Sequence, residues 1–184
     1  MRLVLVGPPG SGKGTQAQLL VQRLKLTAIG TGEILRDAVR RGTEMGKRVE
    51  PYMTQGLLVP DTEVNDVVAE LFRSPNRPNC FVMDGYPRTY SQAIAFDALL
   101  NQQFLNLDAV IHFVVSDEEV IRRMCSRNRD DDKEETVRRR LSEYHKITDA
   151  LIDYYRAKGL LKDIPATGTP EEIHQRVLAA IGAK

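Results

Sequence analysis

Residues 3–15 read Leu-Val-Leu-Val-Gly-Pro-Pro-Gly-Ser-Gly-Lys-Gly-Thr, and this stretch decides the fold. Its first part, Leu3–Val6, is a continuous apolar run that ends abruptly in a turn rich in glycine and proline. Such a run is typical of a strand buried on both faces, as in a parallel sheet. From Lys13 to Leu24 the apolar residues recur at helical spacing. The chain is therefore predicted to open with a strand, a glycine-rich turn and a helix.

The turn from Gly7 to Thr15 fits the pattern G-x-x-x-x-G-K of a phosphate-binding loop. Such a loop points several backbone N–H groups inward at anionic oxygens, and glycine permits so tight a curl. The helix that follows adds its positive N-terminal end, and Lys13 would reach the outer phosphates as a point charge. We predict that nucleoside triphosphate is bound by Gly10, Ser11, Gly12, Lys13, Gly14 and Thr15.

The loop alone leaves three questions open: whether the match is a chance one, whether the loop ligates a metal, and which class of nucleotide-binding protein this is. An unrelated glycine-rich turn could match by chance, although a predicted strand before it and a helix after it favour the phosphate loop. The usual Ser or Thr directly after the lysine is replaced by Gly14, which places direct metal ligation by the loop in doubt. A kinase, an ATPase and a GTPase switch all remain compatible with the pattern.

The alternation of strand and helix continues along the chain. Further strands are predicted at 80–83, 109–115 and 160–164, and further helices at 89–101, 117–127, 134–158 and from 170 onward. This rhythm indicates an α/β fold with a mostly parallel sheet. Two stretches interrupt it: residues 30–59 are polar and dotted with glycine, and residues 128–133 are a charged run with no apolar residue.

Composition narrows the class of function. The 184 residues are 42% hydrophobic and 28% charged, with a formal net charge of +1. No global field would draw the chain to nucleic acid or a membrane, and tryptophan is absent, so neither partner is expected. Cys80 and Cys125 lack metal-ligand spacing and are expected to be buried, reduced thiols without zinc. No stretch approaches the roughly 18 apolar residues of a membrane span, and the cytoplasm is the expected location.

Three further motifs decide the family. They are the segments Thr31–Arg36, Gly56–Asp61 and Asp84–Thr89, which read TGEILR, GLLVPD and DGYPRT. Together with the phosphate loop, and in this order, they resemble the adenylate kinases of the nucleoside monophosphate kinase family. The resemblance runs from Leu3 to the C-terminal helix. It implies a three-layer P-loop fold with a five-stranded parallel sheet, a single domain over 1–184, a helical AMP-binding insertion at 30–59 and a short lid at 128–134.

The resemblance also implies roles on the acceptor side of the site. Arg36 and Arg88 match arginines that hold the α-phosphate of AMP, and Thr31 and Gln92 match residues that face the adenine base. An amide carries both a donor and an acceptor, as an adenine edge requires. The AMP-binding residues implied in this way are Thr31, Arg36, Leu57, Val59, Gly85, Arg88, Gln92, Arg129 and Arg140.

Further arginines match those around ATP and the transferring phosphoryl group. The implied catalytic residues are Lys13, Arg88, Arg123, Arg129 and Arg140, and the ATP site gains Arg123, Arg127 and Gly168. Arg138 and Arg139 are interpreted as a solvated helix face. Asp131 and Asp132 match partners that orient the arginines, with solvated loop acids as the alternative. Asp84 matches a carboxylate that holds Mg²⁺ through water, with a turn-capping role as the alternative.

The implied reaction is ATP + AMP ⇌ 2 ADP, with Mg²⁺ accompanying ATP. Members with a short lid are commonly monomers, so a monomer is expected. A UMP/CMP kinase of the same fold is the nearest alternative, but those relatives tend to lack threonine and glutamine at the positions of Thr31 and Gln92. The other alternative is a P-loop ATPase or switch that acts on a partner protein, and it predicts no second nucleotide site.

Overall fold

Five parallel strands form one sheet in the computed structural model, which describes residues 1–55, 57–127 and 134–183. The strands are β1 (Arg2–Val6), β2 (Thr27–Gly30), β3 (Phe81–Asp84), β4 (Ala109–Val114) and β5 (Leu161–Pro165). Their order across the sheet is β2-β3-β1-β4-β5, so the strand that precedes the phosphate loop lies at the centre. The predicted α/β fold with a five-stranded parallel sheet is confirmed.

Helices connect the strands. Within the described residues they are α1 (Lys13–Leu24), α2 (Thr31–Arg40), α3 (Glu44–Thr54), α4 (Asp61–Arg73), α5 (Tyr90–Gln102), α6 (Asp117–Arg127), α7 (Glu134–Ala157) and α8 (Pro170–Ala180). None of these described helices is both long enough and apolar enough to cross a membrane.

The sheet is covered on both faces, which gives the three layers. On one face Leu3 and Leu5 of β1 pack with α1 and α8. On the other face Val4 and Val6 pack with α4, α5 and α7. Residues on a strand alternate between the two faces, so a strand covered on both sides is apolar at every position. The continuous apolar run that opens the sequence has this cause.

One strand was missed by the sequence pattern. The pattern predicts four strands, and the fifth was expected only from the family resemblance. The missing strand is β2, which has four residues, lies at the edge of the sheet and leaves Thr27 and Ala28 exposed. An edge strand buries less apolar surface than a central one, so β2 lacks the apolar run that marks the central strands β1, β3 and β4.

The expectation of buried cysteines is wrong, because both thiols are exposed. Cys80 comes just before β3, at the margin of the sheet rather than inside it. Cys125 lies on α6 beside the buried Met124, so the helix turns its thiol away from the packed face.

Candidate active site

The phosphate loop curls between β1 and α1 at the carboxyl edge of the sheet. Gly10 and Gly12 have φ of +79° and +96°, which residues with a Cβ adopt only with strain. The loop is also packed from outside, because a Cβ at position 10 would lie 2.6 Å from Cγ of Met124 on α6. Ser11 is fully buried, whereas Gly14 and Thr15 at the start of α1 are exposed. The loop is therefore rigid at its base and open at its rim.

Lys13 lies across this loop. Its Nζ donates to the carbonyl oxygens of Gly7 and Pro8, at 2.8 Å each, and contacts Oγ of Ser11 at 3.4 Å. Burial lowers the pKa of Lys13 to about 8, while the charge of Asp84 opposes this shift and that of Arg88 reinforces it. The ammonium group is thus held against the loop, where an anion would stabilise its charge.

Asp84 ends β3 and stands between the two halves of the site. The β3 register pairs it with Leu5 of β1 and with Gly30 of β2, at the carboxyl edge where parallel sheets bind ligands. Its Oδ2 would lie 3.7 Å from a Cβ at position 14, so the carboxylate faces the first turn of α1. One carboxylate beside a phosphate site suits Mg²⁺, which keeps several waters and takes few protein ligands.

Gly85 brings the expected acceptor residues together. A Cβ at this position would lie 3.1 Å from Oγ1 of Thr31 and 3.2 Å from Nη2 of Arg88. Arg88 Nε also donates to the Gly85 carbonyl oxygen at 2.8 Å. A buried threonine at the start of α2 and an exposed guanidinium are thus held on either side of one glycine.

Arg88 is the centre of a group of cations. Part of its side chain is exposed to solvent, but many protein atoms surround it. The partial loss of hydration holds the pKa of Arg88 below the ordinary value. The charge of Asp84 opposes the shift, whereas Arg140 and then Arg36 add to it. Arginines from α2, α7 and the β3–α5 loop therefore converge on one place, next to Lys13. Like charges gathered in this way are expected where anions bind.

Gln92 lies beneath this group, buried in the first turn of α5. Its Oε1 accepts from the Arg88 backbone N–H at 2.7 Å, and its Nε2 donates to Oδ1 of Asp61 at 2.7 Å. Its contact with a base stays a prediction. Of the other expected acceptor residues, Leu57 is half exposed and Val59 is buried.

A second arginine group lies towards β5. Arg123 Nε pairs with Oε1 of Glu119 at 2.6 Å, and its Nη2 donates to the Ala166 carbonyl oxygen at 2.8 Å. The pairing with Arg122 and Arg123 lowers the pKa of Glu119. Gly168 follows in the same loop with φ of +103°. Arg123 therefore connects α6 to the loop that contains Gly168, which the resemblance assigns to ATP binding.

Several predicted residues lie outside the described part of the chain. These are Arg129, Asp131 and Asp132, together with the side chain of Arg127; of the predicted lid at 128–134, only Glu134 is described. Arg138 and Arg139 are exposed, as expected for a solvated face, and Arg138 pairs with Glu134. Arg139 does more, because its Nη2 donates to the Gln55 carbonyl oxygen at the end of α3, at 2.8 Å.

Three residues near the site were not predicted. Asp61 accepts a hydrogen bond from Gln92, and Glu119 pairs with Arg123. Met124 packs against the phosphate loop at Gly10. Asp61 ends one of the quoted motifs, but no spacing rule connects it with a residue 31 positions later. Glu119 precedes Arg123 by four positions on a helix, which was a usable signal for an ion pair.

Comparison with known proteins identifies the family. A family model described as adenylate kinase matches residues 5–160. An adenylate kinase of Thermobifida fusca (strain YX) is 44% identical over 188 residues, covering 100% of both chains. One from Thermus thermophilus is 46% identical over 184 residues, covering 98% of this chain and 96% of the relative. Since the match spans the phosphate loop, both arginine groups and residues 85–88 of the β3–α5 loop, which we call the acceptor loop after its predicted role, the chain belongs to the adenylate kinase family.

Proposed function

We propose that this protein catalyses the reversible transfer of the terminal phosphoryl group of ATP to AMP, which yields two molecules of ADP. One observation carries the proposal: the cations around Arg88 adjoin the phosphate loop, because Asp84 lies near both Lys13 and Arg88 and the charge of Arg88 reaches Lys13. A simple ATPase requires one anion site. Two anion sites that meet end to end are what transfer between two nucleotides requires.

On the donor side, the loop amides and the N-terminus of α1 would bind the phosphates of ATP. Lys13 would exchange its contacts with the Gly7 and Pro8 carbonyl oxygens for the outer phosphates. Arg123 and the loop around Gly168 would extend the site towards the base. We assign Gly10 to Thr15, together with Arg127, to the same nucleotide.

On the acceptor side, Arg88 and Arg36 would bind the α-phosphate of AMP by bidentate contacts. An acceptor phosphate is already ionised near neutral pH, so the protein needs no general base. Its task is to align the attacking oxygen with the terminal phosphorus and to neutralise charge that spreads over the equatorial oxygens. Arg129 of the proposed lid and Arg140 of α7 would complete that neutralisation.

Asp84 would hold Mg²⁺ through water, next to the first turn of α1. When bound with ATP, the ion would neutralise the outer phosphates and fix their geometry. This assignment rests on the chemistry of one carboxylate beside a phosphate loop, and Asp84 also balances the charges of Lys13 and Arg88.

Water must be excluded during transfer, because otherwise ATP would be hydrolysed. We assign the exclusion to the insertion at 30–59 over AMP and to the short lid at 128–134 over ATP. The hydrogen bond from Arg139 to Gln55 supports contact between α7 and the end of the insertion. We further propose that the protein acts as a monomer in the cytoplasm, in keeping with short-lid relatives; light scattering after size-exclusion chromatography tests the first part.

The decisive experiment is a coupled assay of ADP production with ATP and Mg²⁺. Parallel reactions contain AMP, UMP, CMP, GMP or no acceptor, and we expect rapid ADP formation with AMP alone. Arg88→Ala should abolish most of it, whereas Arg73→Ala, an exposed arginine at the end of α4, serves as the matched control. Preference for UMP or CMP would overturn the base assignment, and equal ADP release without acceptor would overturn the transfer itself.

A further inference from the structure

The carboxylate of Asp61 joins the starts of two helices. It lies at the first position of α4 and accepts three side-chain hydrogen bonds from the N-cap and the first turn of α5. Gln92 Nε2 donates to Oδ1 at 2.7 Å, Thr89 Oγ1 donates to Oδ2 at 2.7 Å, and Ser91 Oγ also donates to Oδ2. Each donor belongs to the segment that follows the acceptor loop. Asp61 therefore fixes that segment against the end of the insertion.

The oxygen of the Gln92 side-chain amide also has a partner. The backbone N–H of Arg88 donates to its Oε1 at 2.7 Å. A backbone N–H can only donate, and a carboxylate can only accept. The two partners therefore dictate the same orientation of the amide, with oxygen towards Arg88 and nitrogen towards Asp61. If the Gln92 amide were reversed, its NH2 group would face the Arg88 N–H, and its oxygen would face the Asp61 carboxylate.

The groups that remain on the amide determine what it can bind. A glutamine side chain has two N–H donors and two acceptor lone pairs. The contacts with Asp61 and Arg88 use one of each and leave one of each, in a fixed arrangement. The Watson–Crick edge of adenine offers the complement, an acceptor at N1 and a donor at the 6-amino group. A 6-oxopurine offers the reverse, a donor at N1 and an acceptor at O6, and would need the reversed amide.

We propose that Asp61 is a positioning residue that sets the specificity of the acceptor site. By locking the Gln92 amide in one orientation, it favours adenine and disfavours 6-oxopurine nucleotides. The inference rests on the proposed function, because it requires that AMP be bound beside Gln92. Burial strengthens the lock: Gln92 is only 3% exposed, so no water stands in for a lost partner.

Further hydrogen bonds hold the backbone around Gln92. The hydroxyl of Tyr86 donates to Oδ1 of Asn65 at 2.7 Å and contacts the Gln92 carbonyl oxygen at 3.3 Å. Asn65 lies one turn after Asp61 on α4, so two successive turns of that helix hold the acceptor loop. These contacts oppose a shift of the Gln92 backbone that would relieve the hydrogen-bond mismatch with a wrong base.

The test compares AMP with IMP, which differs at purine position 6 and in the proton on N1. Asp61→Asn is nearly isosteric, and its amide can present either a donor or an acceptor to Gln92. We expect the ratio of kcat/KM for AMP to that for IMP to fall about tenfold or more, because one of the two penalties on the reversed amide disappears. The KM for ATP should remain within a few-fold of the wild-type value.

Ser91→Ala is the matched control. It removes another hydrogen bond to the same carboxylate without touching the Gln92 amide, so the AMP to IMP ratio should not change. Melting temperatures of both variants record any loss of fold. If Asp61→Asn does not fold, Asp61→Ala carries the same expectation, because it removes the carboxylate that opposes the reversed amide.

The outcomes separate the inference from the proposed function. Wild-type protein without AMP-dependent ADP formation would overturn the proposed function itself. Wild-type protein that uses AMP and IMP equally well would overturn the orientation argument without any variant. Wild-type protein that prefers AMP, with an unchanged ratio in Asp61→Asn, would leave the function standing and remove Asp61 from its specificity.

Discussion

Gly85 is the tightest point of the acceptor side, and its replacement by alanine tests the geometry directly. Its φ is +85°, in the left-handed region that favours glycine. A Cβ there would lie 3.1 Å from Oγ1 of Thr31 and 3.2 Å from Nη2 of Arg88. Gly85→Ala therefore combines two effects, strain in the backbone and displacement of two side chains proposed to bind AMP.

The two effects have different sizes. A left-handed conformation costs a residue with a Cβ about 1–2 kcal/mol, which lowers Tm by about 2–8 °C in a chain of this length. Both contacts are closer than ordinary van der Waals distance, so Thr31 and Arg88 must move by a few tenths of an ångström. Since a 1 Å misplacement can reduce the rate by about 100-fold, we expect kcat/KM for AMP to fall about tenfold.

Steady-state kinetics with each nucleotide varied in turn, together with thermal melting, separate these effects. Gly159→Ala is the matched control, because Gly159 has φ of +70° and a Cβ there would meet no described atom within 4 Å. It should lose similar stability with unchanged kinetics. If Gly85→Ala matched Gly159→Ala in every respect, close packing at Gly85 would not position Thr31 and Arg88, and the reasoning would be refuted.

Charge is the basis of three further predictions. Arg88→Ala should lower kcat about 100-fold or more with little change in Tm, since Arg88 is exposed; wild-type turnover would contradict its role. With a pKa of about 8 for Lys13, kcat/KM for ATP should fall as pH rises above that value. The free energy of unfolding should rise between pH 8 and the ordinary lysine pKa of 10.5, because in that range the unfolded chain binds more protons than the folded chain. A flat pH profile of kcat/KM or of stability would contradict the corresponding prediction. Glu119→Gln should raise KM for ATP several-fold and spare KM for AMP, by releasing Arg123.

The fold was largely predictable because its main signals are local. A strand buried on both faces must be apolar throughout, and a phosphate loop must be rich in glycine, so β1 and the start of α1 follow from the thirteen consecutive residues 3–15. The cap of α8 is equally local: Thr169 and Glu172 form a capping box around Pro170. By contrast β2 has no such signal, because its place at the sheet edge removes the need for an apolar run.

The site was predictable only in part, since its partners are distant in the sequence. The motifs located Lys13, Asp84 and Arg88, but they did not predict what holds Gln92 or Arg123. Asp61 meets Gln92 across 31 positions, and Arg123 reaches the Ala166 carbonyl oxygen across 43. Such pairs are selected by how α4 packs on α5 and how α6 approaches β5. Their chemistry becomes clear only when the packing is known.

The arrangement of charge explains why the site should bind two nucleotides rather than one. Lys13, Arg36, Arg88 and Arg140 share their surroundings with Asp84, and desolvation together with like charge lowers the pKa of both Lys13 and Arg88. Folding therefore holds these cations in an environment that disfavours their charge. Phosphates on either side would relieve that repulsion, so the two nucleotides should stabilise the fold in proportion to their binding. Because the charge of Arg88 lowers the pKa of Lys13, an anion bound at Arg88 would relieve part of the repulsion on Lys13, so the two phosphate sites are electrostatically coupled through these cations.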